Sequence, residues 1–203
     1  MKQIHYFSGL LIALFVGLHL FNHLWSIMGA AEHISMMESL RSIYRHRLIE
    51  VLLLLAVVIQ IISGIRLFIS KRETVASSYD KLQIWSGLYL AIFFLIHVGA
   101  VFMGRLVLHL DTNFYFGVAG LNTFPYNLFF VPYYGLAILS FFGHIAAIHH
   151  IKMKQPLLGL TPSQQTKSIL VLGVIVTILI FYGLTNHFAG VKLPAEYGIL
   201  VGK

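Results

Sequence analysis

Two stretches of this chain repeat one pattern. "SGLLIALFVGLH" ends at His19 and "SGLYLAIFFLIH" ends at His97, and in each a histidine follows ten residues after the glycine of a Ser-Gly pair. Gln60, in "QIISGIRLFISK", and His144, in "HIAAIHHIKMK", form a second such pair, each ahead of a basic exit. A neutral imidazole in apolar surroundings has to find a partner. Two imidazoles on different helices at one depth can hydrogen-bond to each other or hold one metal between them. A b-type haem suits such a pair, because its iron takes an axial nitrogen from each face and its apolar edge fits a helical interior. Ordinary interhelical histidines give the same spacing, with glycines there for close packing. Gly9, Gly17, Gly87 and Gly99 are expected to leave room for a flat macrocycle. A mononuclear zinc or copper centre fits less well, since no third and fourth ligand is evident at that level.

The elements that must position these residues are membrane helices. Of 203 residues, 58% are hydrophobic and only 10% charged, with a mean hydropathy of +0.84. Soluble domains do not have that composition. The apolar runs are continuous rather than alternating, which predicts helices and not barrel strands. Five spans are predicted, at about 4–28, 47–69, 82–107, 127–150 and 167–187, forming a single all-α transmembrane domain. The first begins Met1-Lys2 like a signal peptide, but its apolar stretch is too long and contains His5, His19 and His23. It is read as a retained helix.

The loops at 70–81 and 151–166 carry Lys71, Arg72, Lys81, Lys152 and Lys154, which favours an inside N terminus. The outer connections, 29–46 and 108–126, are longer and read as irregular. The second is rich in Gly, Asn, Phe and Tyr and predicts an interfacial surface. A helix rises about 1.5 Å per residue, so His19 and His97 each lie about 22 Å above the inner ends of their helices. Gln60 lies about 14 Å up and His144 about 9 Å up. The expected arrangement is an upper pair and a lower pair. Hairpins 1–2 and 3–4 then look like related units, with the fifth span added.

Other residues have plainer readings beside functional ones. His23 lies one turn beyond His19 on nearly the same face, a rival ligand or a cofactor neighbour. His5, at the inner face, and Arg66, near the inner end of span 2, are candidates to meet a propionate or the interface. Glu50 sits inside the outer end of span 2, where a carboxylate is costly unless paired. It is expected to pair with Arg47 or Arg45, or to carry protons. His149 and His150, beside Lys152, predict a solvated interface, and His33, His46, His109 and His187 carry little signal. The absence of cysteine excludes disulfides, covalent haem attachment and an iron–sulfur cluster within this chain. The net charge of +7 is the cationic excess usual around membrane helices, with no basic stripe for nucleic acid.

In the order and spacing of these motifs the chain resembles the cytochrome b membrane subunit of succinate dehydrogenase and fumarate reductase, in the five-helix, single-chain, two-haem class. "HYFSGLLIALFVGLHL" matches the first-helix pattern with His5, Gly9 and His19, and "WSGLYLAIFFLIHV" matches the third with Gly87 and His97. "LTPSQQTKS" is similar to the loop before the last helix. The chain departs from the pattern at Gln60, where the family has histidine, and at Ile148, where it has glycine.

The resemblance implies that His19 and His97 are axial ligands of an outer haem iron. His144 remains at an altered inner site, where it holds a five-coordinate haem, gains another partner, or holds none; a glutamine at 60 can hydrogen-bond to it in an empty site. The resemblance further implies flavoprotein and iron–sulfur subunits on the inner face and a bacterial-type inner membrane. The subunit itself carries no dehydrogenase chemistry. It also implies a quinone near the outer haem, with Glu50, Arg47 and His46 beside it. Membrane lipid is the other expected partner of the basic loops.

Overall fold

The computed structural model describes residues 2–203, and these form an all-helical bundle. Helix α1, Lys2–Leu24, runs on through a tight turn, Trp25–Met28, as one span. Helix α3, Arg47–Lys71, returns. Helix α4, Ser78–Phe102, is extended by a wider turn, Met103–Val107. Helices α6, Asn127–Lys152, and α7, Pro162–Leu184, complete five helices long and apolar enough to cross a membrane. Hydrocarbon offers the backbone no hydrogen-bond partner, so each run closes its own ladder as a helix.

The observed spans overlie the predicted ones, and the fifth starts earlier. Thr161 caps α7 in a box with Gln164, and Pro162 fits the first helical turn. Ser77 accepts from the Asp80 amide at the start of α4. Large apolar side chains such as Leu14, Leu95 and Ile178 point outward, each more than half exposed. A surface of that kind belongs against lipid, and the chain reads as a multi-pass membrane protein.

The five long helices pack in a closed ring: α1 on α3, α3 on α4, α4 on α6, α6 on α7, and α7 back on α1. Closure of the last contact needs Gly183, where a Cβ would collide with Ser26 and the Ile27 backbone.

Both longer connections depart from expectation. Residues 30–44 form a helix, α2, Ala30–Tyr44, with His33 and Met37 buried on its inner side. Residues 108–126 face inward in part, although Phe124 and Tyr126 remain exposed. Their short helix α5, Phe114–Val118, drives Phe114, Val118 and Leu121 into a core with Ile138, Val176, Ile180 and Leu184. The Asn122 side-chain amide donates to the Leu184 carbonyl, and its oxygen accepts from the Val191 amide, which ties this plug to the end of α7 and to the tail. One end of the ring is therefore capped by α2, α5 and the tail. The other carries the N terminus and the basic loops.

Candidate functional site

His19 and His97 face each other across the ring with their centroids 6.1 Å apart. Each stacks on a phenylalanine one turn earlier in its own helix, Phe15 under His19 and Phe93 under His97. Those phenylalanines occupy matching places in the two Ser-Gly stretches, a part of the repeat that sequence reading missed. The pair lines a cavity of about 310 Å³, within the roughly 300–1,000 Å³ of ordinary ligand pockets. Leu53, Val57, Phe94, Phe141 and Ile180 supply much of its apolar wall.

The room is not made by glycines. Gly17 and Gly99 lie on the exposed side of their helices, and Gly9 and Gly87 are filled by other side chains.

His23 turns to its neighbours rather than to His97. Its Nε2 lies 3.1 Å from Nε2 of His19, and its Nδ1 lies 3.3 Å from Nε2 of His33. Asn22 reaches the same His33 nitrogen at 3.3 Å. His33 thus closes a chain of three imidazoles and is 2% exposed, against its expectation as a loop residue. The sequence signal was the four-residue spacing of His33, Met37 and Arg41, one face of a helix. Burial, with the charges of His19 and Arg41, lowers the His33 pKa to about 4, so the ring is neutral at pH 7.

The lower level repeats itself bond for bond. The Gln60 side-chain amide donates to the His5 carbonyl at 2.5 Å and to Ser8 Oγ at 2.7 Å. His144 Nδ1 donates to the Gln83 carbonyl at 2.9 Å and lies 3.2 Å from Ser86 Oγ. His5 and Gln83 hold the same place before their Ser-Gly pairs, as do Ser8 and Ser86. A Cβ on Gly9 would meet Gln60 at 3.1 Å, and one on Gly87 would meet His144 at 3.0 Å. Each hairpin therefore seats a polar side chain of its second helix in the Ser-Gly notch of another helix: Gln60 from α3 on α1, and His144 from α6 on α4. The Gln60–His144 hydrogen bond that an empty inner site would allow is not formed, because both amide and imidazole already have partners. A carbonyl only accepts, so Nδ1 of His144 carries the proton and Nε2 keeps its lone pair.

At the capped end the cavity becomes polar. Glu50 pairs with Arg105 at 2.5 Å, not with Arg47 or Arg45. Arg41 pairs with Asp111 at 2.8 Å, and Arg41 and Arg45 both reach Thr112 Oγ1, at 3.5 and 3.0 Å. Glu50, Arg41, Arg45, Arg105 and Thr112 all line the cavity, whereas Arg47 and His46 are exposed and do not. Burial and the neighbouring charges of Arg41 and Arg105 lower the Arg45 pKa. Sequence reading gave Arg41 and Arg105 no role, because their meeting depends on how α2 folds over the ring.

The remaining candidates lie elsewhere. His5 Nδ1 bonds Ser63 Oγ at 2.7 Å, and exposed Arg66 lines a shallow outer groove with Ile4 and Ile62, away from the main cavity. His149 bonds Gln165 at 2.8 Å, and His150 stacks on Tyr79 at 3.7 Å, so both are helix-packing residues rather than solvated ones.

His19 and His97 are the two residues of the cavity that could hold a haem iron from opposite sides. Two nitrogens bound to one metal at roughly 2 Å each hold their ring centroids about 6 Å apart, which is the spacing seen for His19 and His97. Iron at Nε2 of His19 would replace the contact to His23. The lower pair fits poorly, since Gln60 is spent on α1 and the notches are full. Among the described residues no three histidine, aspartate or glutamate side chains are grouped to hold a bare metal ion. No protein-family model, curated protein or solved structure matches this chain.

Proposed function

We propose that this chain binds one haem b between His19 and His97. On this reading it serves as an electron-transfer subunit in a bacterial-type inner membrane, passing electrons between a flavoprotein/iron–sulfur pair and quinone, as in the succinate dehydrogenase and fumarate reductase cytochrome b subunits it resembles. The observation that carries the reading is the facing pair of imidazoles at 6.1 Å inside an apolar cavity. A bound haem supplies one-electron transfer. The chain's own residues hold and orient it: Phe15 and Phe93 fix the planes of the two rings, and the closed ring of helices keeps water from the apolar wall. Glu50, paired with Arg105 at the edge of the same cavity, is the group placed to exchange a proton with a quinone bound beside the haem rather than in its place. Arg47 and His46 are not part of that site.

The test is an oxidised-minus-reduced absorption spectrum of the purified protein, with haem quantified per chain. Wild type should hold one haem, His97→Ala none, and His144→Ala one. Two haems in wild type would overturn the reading of the lower level. No haem after supply of haem during expression would leave a membrane scaffold as the better account. The Gln60 substitution favours a second reading, a single-haem protein without soluble subunits. Failure of flavoprotein and iron–sulfur subunits to co-purify with the haem-loaded chain would select it.

A further inference from the structure

Three guanidinium groups converge on the capped end of the cavity and only two carboxylates meet them. Glu50 is used by Arg105 and Asp111 by Arg41, which leaves Arg45 with a neutral partner, Thr112. Arg41 has a side chain 11% exposed, and its Nε is buried with no partner. A spare positive charge beside an apolar cavity is costly unless something neutralises it. Guanidinium forks match carboxylates in particular, through paired N–H donors in one plane.

We propose that this end of the cavity is a carboxylate subsite, in which Arg41 and Arg45, backed by Arg105, bind the acid arms of the occupant that His19 and His97 hold by its metal. The proposal rests on the haem reading and extends it: Arg41 and Arg45 would hold the propionates, and the apolar lining would take the rest of the ring. A quinone carries no acid group and gives the spare guanidinium nothing to neutralise, so this end selects the haem.

The test uses the full chain purified free of haem, titrated with haem b and with haem b dimethyl ester, whose propionates are uncharged. Wild type is expected to bind the ester about tenfold more weakly or worse, the factor that loss of a charge-assisted hydrogen bond brings. The Arg41→Gln/Arg45→Gln variant should bind the two forms alike. Equal binding of both forms by wild type overturns the subsite and leaves the haem reading standing. Binding of neither form by wild type overturns both. The wild-type comparison needs no variant, so a folding defect in the double variant does not blur the result.

Discussion

Replacing Gly87 by alanine puts a methyl group 3.0 Å from Cε1 and 3.3 Å from Nδ1 of His144. The imidazole is rigid and is held from below by the Gln83 carbonyl. It must shift by a few tenths of an ångström and weaken that bond. Overpacking of a filled site costs about 1–3 kcal/mol, and a hydrogen bond between membrane helices is worth about 0.6 kcal/mol. Alanine recovers about 1 kcal/mol of helix propensity. The net is a loss of about 0.5–2.5 kcal/mol. Gly9→Ala meets Gln60 at 3.1 Å, but that side chain has more freedom to swing, so its loss should be smaller. Gly17→Ala and Gly99→Ala meet nothing within 4 Å and keep only the propensity gain. The assay is unfolding in mixed detergent followed by helical circular dichroism, with all four variants compared with wild type. A Gly87→Ala protein as stable as Gly17→Ala would refute the notch, and with it the claim that each hairpin seats a polar side chain in a Ser-Gly step.

Gln60→His places an imidazole where the glutamine amide now donates to His5 and Ser8, so its one Nδ1–H can donate to the His5 carbonyl and its Nε2 is left free. If the chain is a haem protein, the variant should gain up to one further haem per chain, read from the pyridine haemochrome spectrum, and an unchanged count would show that the lower level is too tightly packed. His33 has a folded pKa lowered to about 4 from 6.5, so on acidification the unfolded chain takes up the proton first. Its contribution to stability is present above pH 6.5 and is lost as pH falls towards 4, at up to about 1.4 kcal/mol per pH unit. His33→Leu should flatten that part of the stability–pH curve, and an unchanged slope would assign the effect to other groups. Glu50→Gln leaves Arg105 without its anion; both side chains are about 30% exposed, so the expected destabilisation is only about 0.5–1 kcal/mol and should shrink in high salt. A larger, salt-independent loss would mean that the pair is more deeply buried in the membrane protein than this exposure implies.

The spans were legible in the sequence because each apolar run is long enough to require a membrane helix, whatever its neighbours. The two levels of polar residues were legible for a related reason: rise per residue fixes depth along a helix, so His19 and His97 share a height before any packing is known. Rotation about each helix axis is not fixed in that way. It decided that Gln60 and His144 look into neighbouring Ser-Gly notches and not at each other, that Gly17 and Gly99 face outward, and that His23 turns to His33.

The connections held the larger surprises. Residues 29–46 and 108–126 read as irregular surface because their apolar periodicity is short and broken, yet α2 and α5 fold back over one end of the ring. That fold brings Arg41 and Arg45 from α2, Glu50 from α3 and Arg105 from the end of α4 to one cavity. Sequence alone determined a five-helix membrane chain with a histidine pair at one depth. Only the tertiary structure decided which charges meet above that pair, because contacts between distant segments depend on helix rotation and on where a connecting segment lands, neither of which local composition encodes.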